Sequence, residues 1–234
     1  MMMAGLLLLL ACTSDKLDDS GAGSVPTTTA TSGWPLMLGI IREADSEVGL
    51  GGVSVVDVDR PSIRTTTGAD GTWTLADAPV PYVTLRFTGA GLVPVEAWIN
   101  PLEAVDPRFP YPMRMGGTAA VDDLYRRVGA TREPGKVLLF VDAMDTAMSY
   151  IEGASVEISR AYESSWREEV DGRWVRSNLS TDDRTDLMFI NVDPGPLSLV
   201  IVAPDGAPCE GPPDVVLHAD ELAQVSHYCA FTEP

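Results

Sequence analysis

Short apolar runs separated by Gly, Pro and Asp make up most of the chain after residue 36. Each run has roughly four to eight residues rich in Val, Ile, Leu, Thr and aromatics, which is typical of β-strands. In the run that begins at Val53, side chains alternate, so Val53, Val55 and Asp57 share one face and Ser54 and Val56 the other. Short strands at regular spacing with turn residues between them predict an all-β sandwich.

The same order of strands and turns occurs twice in the sequence. A first strand is predicted at 38–42 and its counterpart at 137–142. A glycine, Gly52 or Gly153, then precedes an alternating strand. An apolar strand, a proline turn and another apolar strand follow in both copies, so the sequence predicts two domains of about 100 residues each.

Both copies resemble the carboxypeptidase regulatory-like domain, a transthyretin-like β-sandwich of seven strands. The resemblance covers most of 36–98 and 135–204, and it implies two such sandwiches in tandem without implying a particular function. The matching residues are Thr67, Gly71, Trp73, Leu75, Pro79 and Tyr82 in the first copy, and Gly153, Ala154, Val156, Thr181, Asp182, Phe189, Val192, Pro194 and Gly195 in the second.

One short helix is predicted between the copies. The prolines between residues 107 and 112 exclude a continuous helix there. From Thr118, which can cap a helix, to Gly129, which can end one, small and apolar residues suit a helix packed at the domain junction. The alternative is a helix that binds a partner.

The N-terminal apolar run, 4–11, is too short to cross a bilayer, which needs about 20 residues. Its end, Leu9-Leu10-Ala11-Cys12, resembles the lipobox of bacterial lipoproteins. That resemblance implies a signal peptide and a lipid on Cys12, and Thr13 after the cysteine favours the outer membrane. The alternative is an uncleaved N-terminus. The segment that follows is rich in Ser, Thr, Gly, Ala and Asp, so it is predicted to be a flexible tether.

Three cysteines remain to be paired or modified: Cys12, Cys209 and Cys229. Lipidation of Cys12 would leave Cys209 and Cys229, which an oxidising compartment allows to form a disulfide. Closing that loop is worth about 3 kcal/mol in the chain-entropy description. Two unpaired buried thiols are the alternative.

These features divide the chain into five segments. They are a lipoprotein signal peptide (1–11), a flexible tether (12–33), a first carboxypeptidase regulatory-like β-sandwich (34–116), a linker with a short helix (117–133) and a second such sandwich (134–234).

Charge and motif content argue against several function classes. The formal net charge is −18, whereas binding to nucleic acid needs clustered Lys and Arg. A nucleic-acid partner is therefore not predicted.

His218 and His227 are not spaced as a helical metal pair and are predicted in strands without a carboxylate in register, so no metal site is predicted. Acidic residues at 182–186 are interpreted as solvated turn carboxylates, with calcium as the alternative. The sequence contains no recognised catalytic, phosphate-binding or dinucleotide motif, so neither an enzyme nor a cofactor is predicted.

The second copy carries an insertion at 162–178 that is predicted to form a β-hairpin around Asp171-Gly172. In the predicted register Trp174 faces Glu169, and the two tryptophans lie on opposite faces. Tryptophan with arginine is typical of binding hot spots and of sugar-stacking platforms. The alternative is a hairpin whose tryptophans pack on the sandwich. The candidate binding residues are Trp166, Arg173, Trp174 and Arg176.

Together these features predict a non-enzymatic surface lipoprotein of the bacterial cell envelope. Its N-terminal lipid would anchor it in the outer membrane. It would act as a binding or scaffolding module. Its partner would be an envelope protein or a glycan. A carbohydrate-binding protein that uses the hairpin at 162–178 is the alternative, and an enzyme with an unrecognised site is a third hypothesis.

Overall fold

A computed structural model describes residues 36–44, 46–77, 82–101, 111–145, 149–169, 173–179 and 187–230. In this part of the chain, strands dominate and a single helix occurs. The prediction of an all-β fold with one short helix is therefore confirmed.

Seven strands precede the helix in the described residues. They are β1 (Met37–Glu43), β2 (Ser54–Asp57), β3 (Arg64–Thr66), β4 (Thr72–Leu75), β5 (Val83–Thr88), β6 (Val95–Ile99) and β7 (Tyr111–Met115). The predicted alternation in β2 is confirmed, because Val55 and Asp57 are buried whereas Ser54 is only half-buried. The buried Asp57 carboxylate pairs with the guanidinium of Arg60 at 2.7 Å.

The helix, α1, spans Thr118–Arg127. It begins after Gly117, so Thr118 is its first residue rather than its cap, and no side chain caps the first turn. The chain leaves the helix through Gly129 at φ 73°, a left-handed conformation that glycine adopts without strain.

Ten strands follow the helix. They are β8 (Val137–Met144), β9 (Ser155–Ile158), β10 (Ser164–Glu168), β11 (Trp174–Arg176), β12 (Leu187–Val192), β13 (Gly195–Leu197), β14 (Leu199–Val202), β15 (Cys209–Glu210), β16 (Val215–Leu217) and β17 (Leu222–Cys229).

One large sheet runs through both halves of the chain, in the order β11-β10-β12-β8-β17-β6-β5-β2-β3, with β15 paired to the end of β17. The C-terminal strand β17 lies parallel to β8 on one side and to β6 on the other. It thereby joins the two halves through main-chain hydrogen bonds. The sequence predicted two sandwiches in tandem and did not predict a sheet shared by the two halves.

The two faces of the large sheet are covered by different elements. On β8, Leu139 and Val141 pack in a core with β9, β13, β14 and β16, whereas Leu138 and Phe140 pack under α1. Leu138 of β8 and Val95 of β6 both lie beside Leu222 of β17, so Val95 is on the same face of the sheet as α1. In the first half of the chain, β1, β4 and β7 cover that face. Since β8 and β12 are covered on both faces, every residue in them is buried.

Candidate functional site

Several sequence-based predictions fall outside the described residues. They are the signal peptide, the lipid on Cys12, the tether, the turn at Asp171-Gly172 and the acidic segment 182–186. These stay predictions.

The predicted hairpin is present, but its register differs from the expectation. Strands β10 and β11 pair so that Trp166 lies opposite Arg176 and Glu168 lies opposite Trp174. The prediction that Trp174 faces Glu169 is therefore wrong by one residue. Since a one-residue shift moves side chains to the other face, the two tryptophans lie on the same face, not on opposite faces.

That shared face is turned toward the helix. Trp166 and Trp174 are half-buried and pack against the apolar cluster beneath α1. The Arg176 guanidinium lies 5.2 Å from the centre of the Trp166 ring, and Trp166 Nε1 donates to Ser164 Oγ at 2.8 Å. Arg173 and Arg176 are exposed. The hairpin thus uses its rings for packing and presents its arginines to solvent.

Glu168 shares this face and is 5% exposed. Burial raises the pKa of its carboxyl group, and the positive charge of Arg127 on α1 opposes that change. Packing of Trp166 and Trp174 thus holds the hairpin against α1, and Glu168 is buried on the same face.

Strand β11 is the end strand of the large sheet, so its outer side has no neighbouring strand among the described residues. Glu169 N donates to the Arg173 carbonyl at 2.8 Å, and Ser177 N donates to the Ser165 carbonyl at 3.2 Å. In an antiparallel ladder the bonded positions alternate. The N–H groups of Trp174 and Arg176 therefore point away from β10, toward the open edge.

A disulfide joins Cys209 of β15 to Cys229, the last residue of β17. The structure thus contains the predicted pairing. The bond fastens the end of the strand that connects the two halves.

His227 lies in β17 and is 4% exposed. Burial lowers the pKa of its imidazole to about 4. A Cβ atom on Gly211 would lie 2.1 Å from His227 Nε2, so only glycine leaves room for this ring. His227 is accordingly a core residue.

Four charged or titratable side chains meet where the halves join. Arg86 and Glu96 lie opposite each other on β5 and β6, while His218 follows β16 and Glu221 precedes β17. His218 Nδ1 lies 2.9 Å from Glu96 Oε2, Arg86 lies 3.5 Å from Glu96 Oε1, and Arg86 also pairs with Glu221 Oε1. We call Glu96, His218 and Glu221, with Arg86, the junction cluster.

The carboxylates of the junction cluster are withdrawn from water. Glu96 is 2% exposed and Glu221 is 8% exposed. Burial raises the pKa of Glu221, the positive charge of Arg86 lowers that pKa, and the negative charge of Glu96 raises it further. The Oε2 atom of Glu221 is buried and has no hydrogen-bond donor among the described residues.

Sequence reasoning missed the junction cluster because His218 and Glu96 are 122 residues apart. One local signal was present, since Glu96 is the only charged residue in the apolar strand β6. A lone carboxylate in a buried strand needs a partner, but its identity depends on tertiary pairing.

No helix in the described ranges is long and apolar enough to cross a membrane.

The chain matches no family model and no curated protein. Among solved structures it is similar to the shaft pilin SpaA of Lactobacillus rhamnosus GG, at 12% identity and a TM-score of 0.26 over 86% of this chain and 99% of that one. It is also similar to the major pilin of Streptococcus pyogenes (9% identity, TM-score 0.23, 83% and 96%) and to a C-terminal fragment of the L. rhamnosus GG pilus adhesin SpaC (8% identity, TM-score 0.23, 85% and 100%). Similarity this distant carries no conclusion about function.

Proposed function

We propose that this protein is a non-enzymatic, lipid-anchored module of the bacterial cell envelope that binds an extended segment of another envelope protein along β11. One observation carries the proposal: among the described residues no strand pairs with the outer side of β11, toward which the N–H groups of Trp174 and Arg176 point.

The anchor is supported by the sequence and by the disulfide. Residues 9–12 resemble a lipobox, and a polar tether follows Cys12. The bond between Cys209 and Cys229 suits an exported protein, because disulfides persist in oxidising compartments. A lipid followed by a flexible spacer would hold the folded body away from the membrane.

The open edge suits recognition by strand addition. A segment that adds to a sheet gains affinity from main-chain hydrogen bonds and specificity from its side chains. The exposed side chains of Arg173 and Arg176 favour an acidic segment. The net charge of −18 disfavours a second copy of this chain as the occupant.

The contacts do not favour the carbohydrate-binding alternative. Sugar rings stack on exposed aromatic faces, whereas Trp166 and Trp174 pack toward α1 and Arg176 covers the Trp166 ring.

Photo-crosslinking in cells tests the edge. A photoreactive phenylalanine analogue placed at Arg173 should give one adduct of defined mass. The same analogue at Val200, which is 57% exposed on β14, is the control and should not.

Two variants at one position then separate backbone from side chain. Arg176→Pro removes an outward N–H while leaving the hydrogen bonds to β10, so it should abolish the adduct, whereas Arg176→Ala should keep it. An adduct that survives Arg176→Pro, or one with twice the mass of the chain, would refute binding of a partner along β11.

The mass of the mature chain from the membrane fraction tests the lipid anchor. The mature chain should begin at acylated Cys12, and a soluble chain with an unmodified N-terminus would refute the anchor.

A further inference from the structure

We propose that Glu96, His218 and Glu221 of the junction cluster bind one divalent transition-metal ion, with Zn²⁺ as the best match. One ligand atom from each of the three residues can be chosen so that all lie within 4.8 Å of one another. The ligand set combines an imidazole nitrogen with two carboxylates. This inference goes beyond the proposed function and does not depend on β11.

The second observation is the unpaired oxygen of Glu221. Arg86 pairs with Oε1 of Glu221, but Oε2 is buried and no described residue donates to it, on a residue that is 8% exposed. A buried charged group without a partner is costly. A cation beside Oε2 supplies the missing partner.

The charges of the cluster leave room for a dication. Two carboxylates and one guanidinium sum to −1 when His218 is neutral, and the whole chain carries −18. Arg86 contacts the Oε1 atoms of both glutamates. It therefore orients the two carboxylates. Glu221 Oε2 has no donor among the described residues, whereas Glu96 Oε2 contacts His218 Nδ1, and an ion would replace the proton between those two atoms.

The choice of metal follows from the ligands and their spacing. Imidazole nitrogen favours Zn²⁺ over Ca²⁺ and Mg²⁺, which prefer all-oxygen sites. Zn²⁺ binds N and O atoms at about 2.0–2.2 Å, so tetrahedral ligands lie about 3.4 Å apart. His218 Nδ1 and Glu96 Oε2 lie 2.9 Å apart, a hydrogen-bond distance, so the two atoms would separate by about 0.5 Å when an ion replaces the proton between them. The side chain of His218 is 45% exposed, so the ion has a path from solvent and a water molecule can complete its coordination.

A metal here would connect the two halves of the chain. Glu96 belongs to the first half, and His218 and Glu221 flank the segment that leads into β17. The ion would therefore hold β17 against β6 at the start of their parallel pairing.

Calorimetric titration of the metal-stripped full-length protein with Zn²⁺ tests the site. We expect one ion per chain, and an affinity at least about tenfold lower in His218→Gln and in Glu221→Gln. Matched controls are His227→Gln, the other histidine, and Glu157→Gln, an exposed carboxylate on β9; both should keep wild-type affinity.

Thermal unfolding supplies a second readout. A hundredfold excess of Zn²⁺ over its dissociation constant should raise the midpoint by about 5–10 °C in the wild type and in both controls. It should leave the midpoint of His218→Gln nearly unchanged, because this variant lacks the imidazole ligand. The side chain of residue 218 is 45% exposed, so the variant should fold. No saturable binding, or equal binding by all four variants, would refute the site. Either result leaves the β11 crosslinking test unaffected.

Discussion

Acid should destabilise this protein through the single buried imidazole of His227. The ring is 4% exposed in β17, and its Nδ1 atom has no hydrogen-bond partner among the described residues. A proton on this ring would place a charge in the core, so burial lowers the pKa of His227 to about 4. In the unfolded chain the imidazole returns to a pKa of about 6.5.

The direction of the effect follows from the two pKa values. Above pH 6.5 the ring is neutral in both states and contributes nothing to pH dependence. Between pH 6.5 and about 4 the unfolded chain binds a proton that the folded chain does not, so the free energy of unfolding falls as the pH falls. At about 1.4 kcal/mol per pH unit, the loss approaches about 3 kcal/mol near pH 4 and then becomes constant.

Urea denaturation at pH values from 7.5 to 3.5 measures this loss. Carboxylates also contribute to acid unfolding, so the relevant quantity is the difference between the wild type and His227→Gln, which cannot titrate. The free energy of unfolding of the wild type should fall by about 3 kcal/mol more than that of the variant between pH 7 and 4. Parallel curves for the two proteins would refute the assignment of a buried neutral imidazole.

Three further predictions concern stability. Replacing Cys209 and Cys229 by serine should lower the free energy of unfolding by about 3 kcal/mol, because their separation of 20 residues sets the loop entropy; an unchanged urea midpoint would contradict a bond in the native protein. Gly71→Ala should lower the free energy of unfolding more than Gly52→Ala does. Both glycines have φ near 80°, but a Cβ on Gly71 would lie 2.2 Å from a carbonyl oxygen of β1, whereas a Cβ on Gly52 would meet no atom within 4 Å. The strain common to both is about 1–2 kcal/mol, and equal thermal shifts would show that the clash is relieved. Trp166→Ala should lower the free energy of unfolding by about 2 kcal/mol, because the ring is half-buried under α1; full stability with loss of ligand binding would instead identify an exposed binding residue.

Local sequence patterns are sufficient for the strands and the helix because these depend on neighbouring residues. The strands at Met37–Glu43 and Val137–Met144 contain the predicted segments 38–42 and 137–142, and the helix ends two residues before the predicted glycine, Gly129. The pairing of Cys209 with Cys229 also follows from the sequence, through the parity of three cysteines and the lipobox resemblance of the first.

The hairpin shows where such patterns become insufficient. A two-residue turn at Asp171-Gly172 predicts one register, and the structure adopts the neighbouring one. Alternation within a strand does not distinguish the two registers. Packing of Trp166 and Trp174 under α1 does distinguish them, because it requires both rings on one face.

The sequence by itself determined the local elements and the repeat, since each depends on residue type and short-range spacing, and the number of cysteines predicted the disulfide. Only the tertiary structure placed β17 between β8 and β6, because pairing of strands 84 or more residues apart is set by packing across the sheet. The same placement brings His218 and Glu221 to Glu96. The junction cluster therefore exists only once the C-terminal strand has joined the two halves.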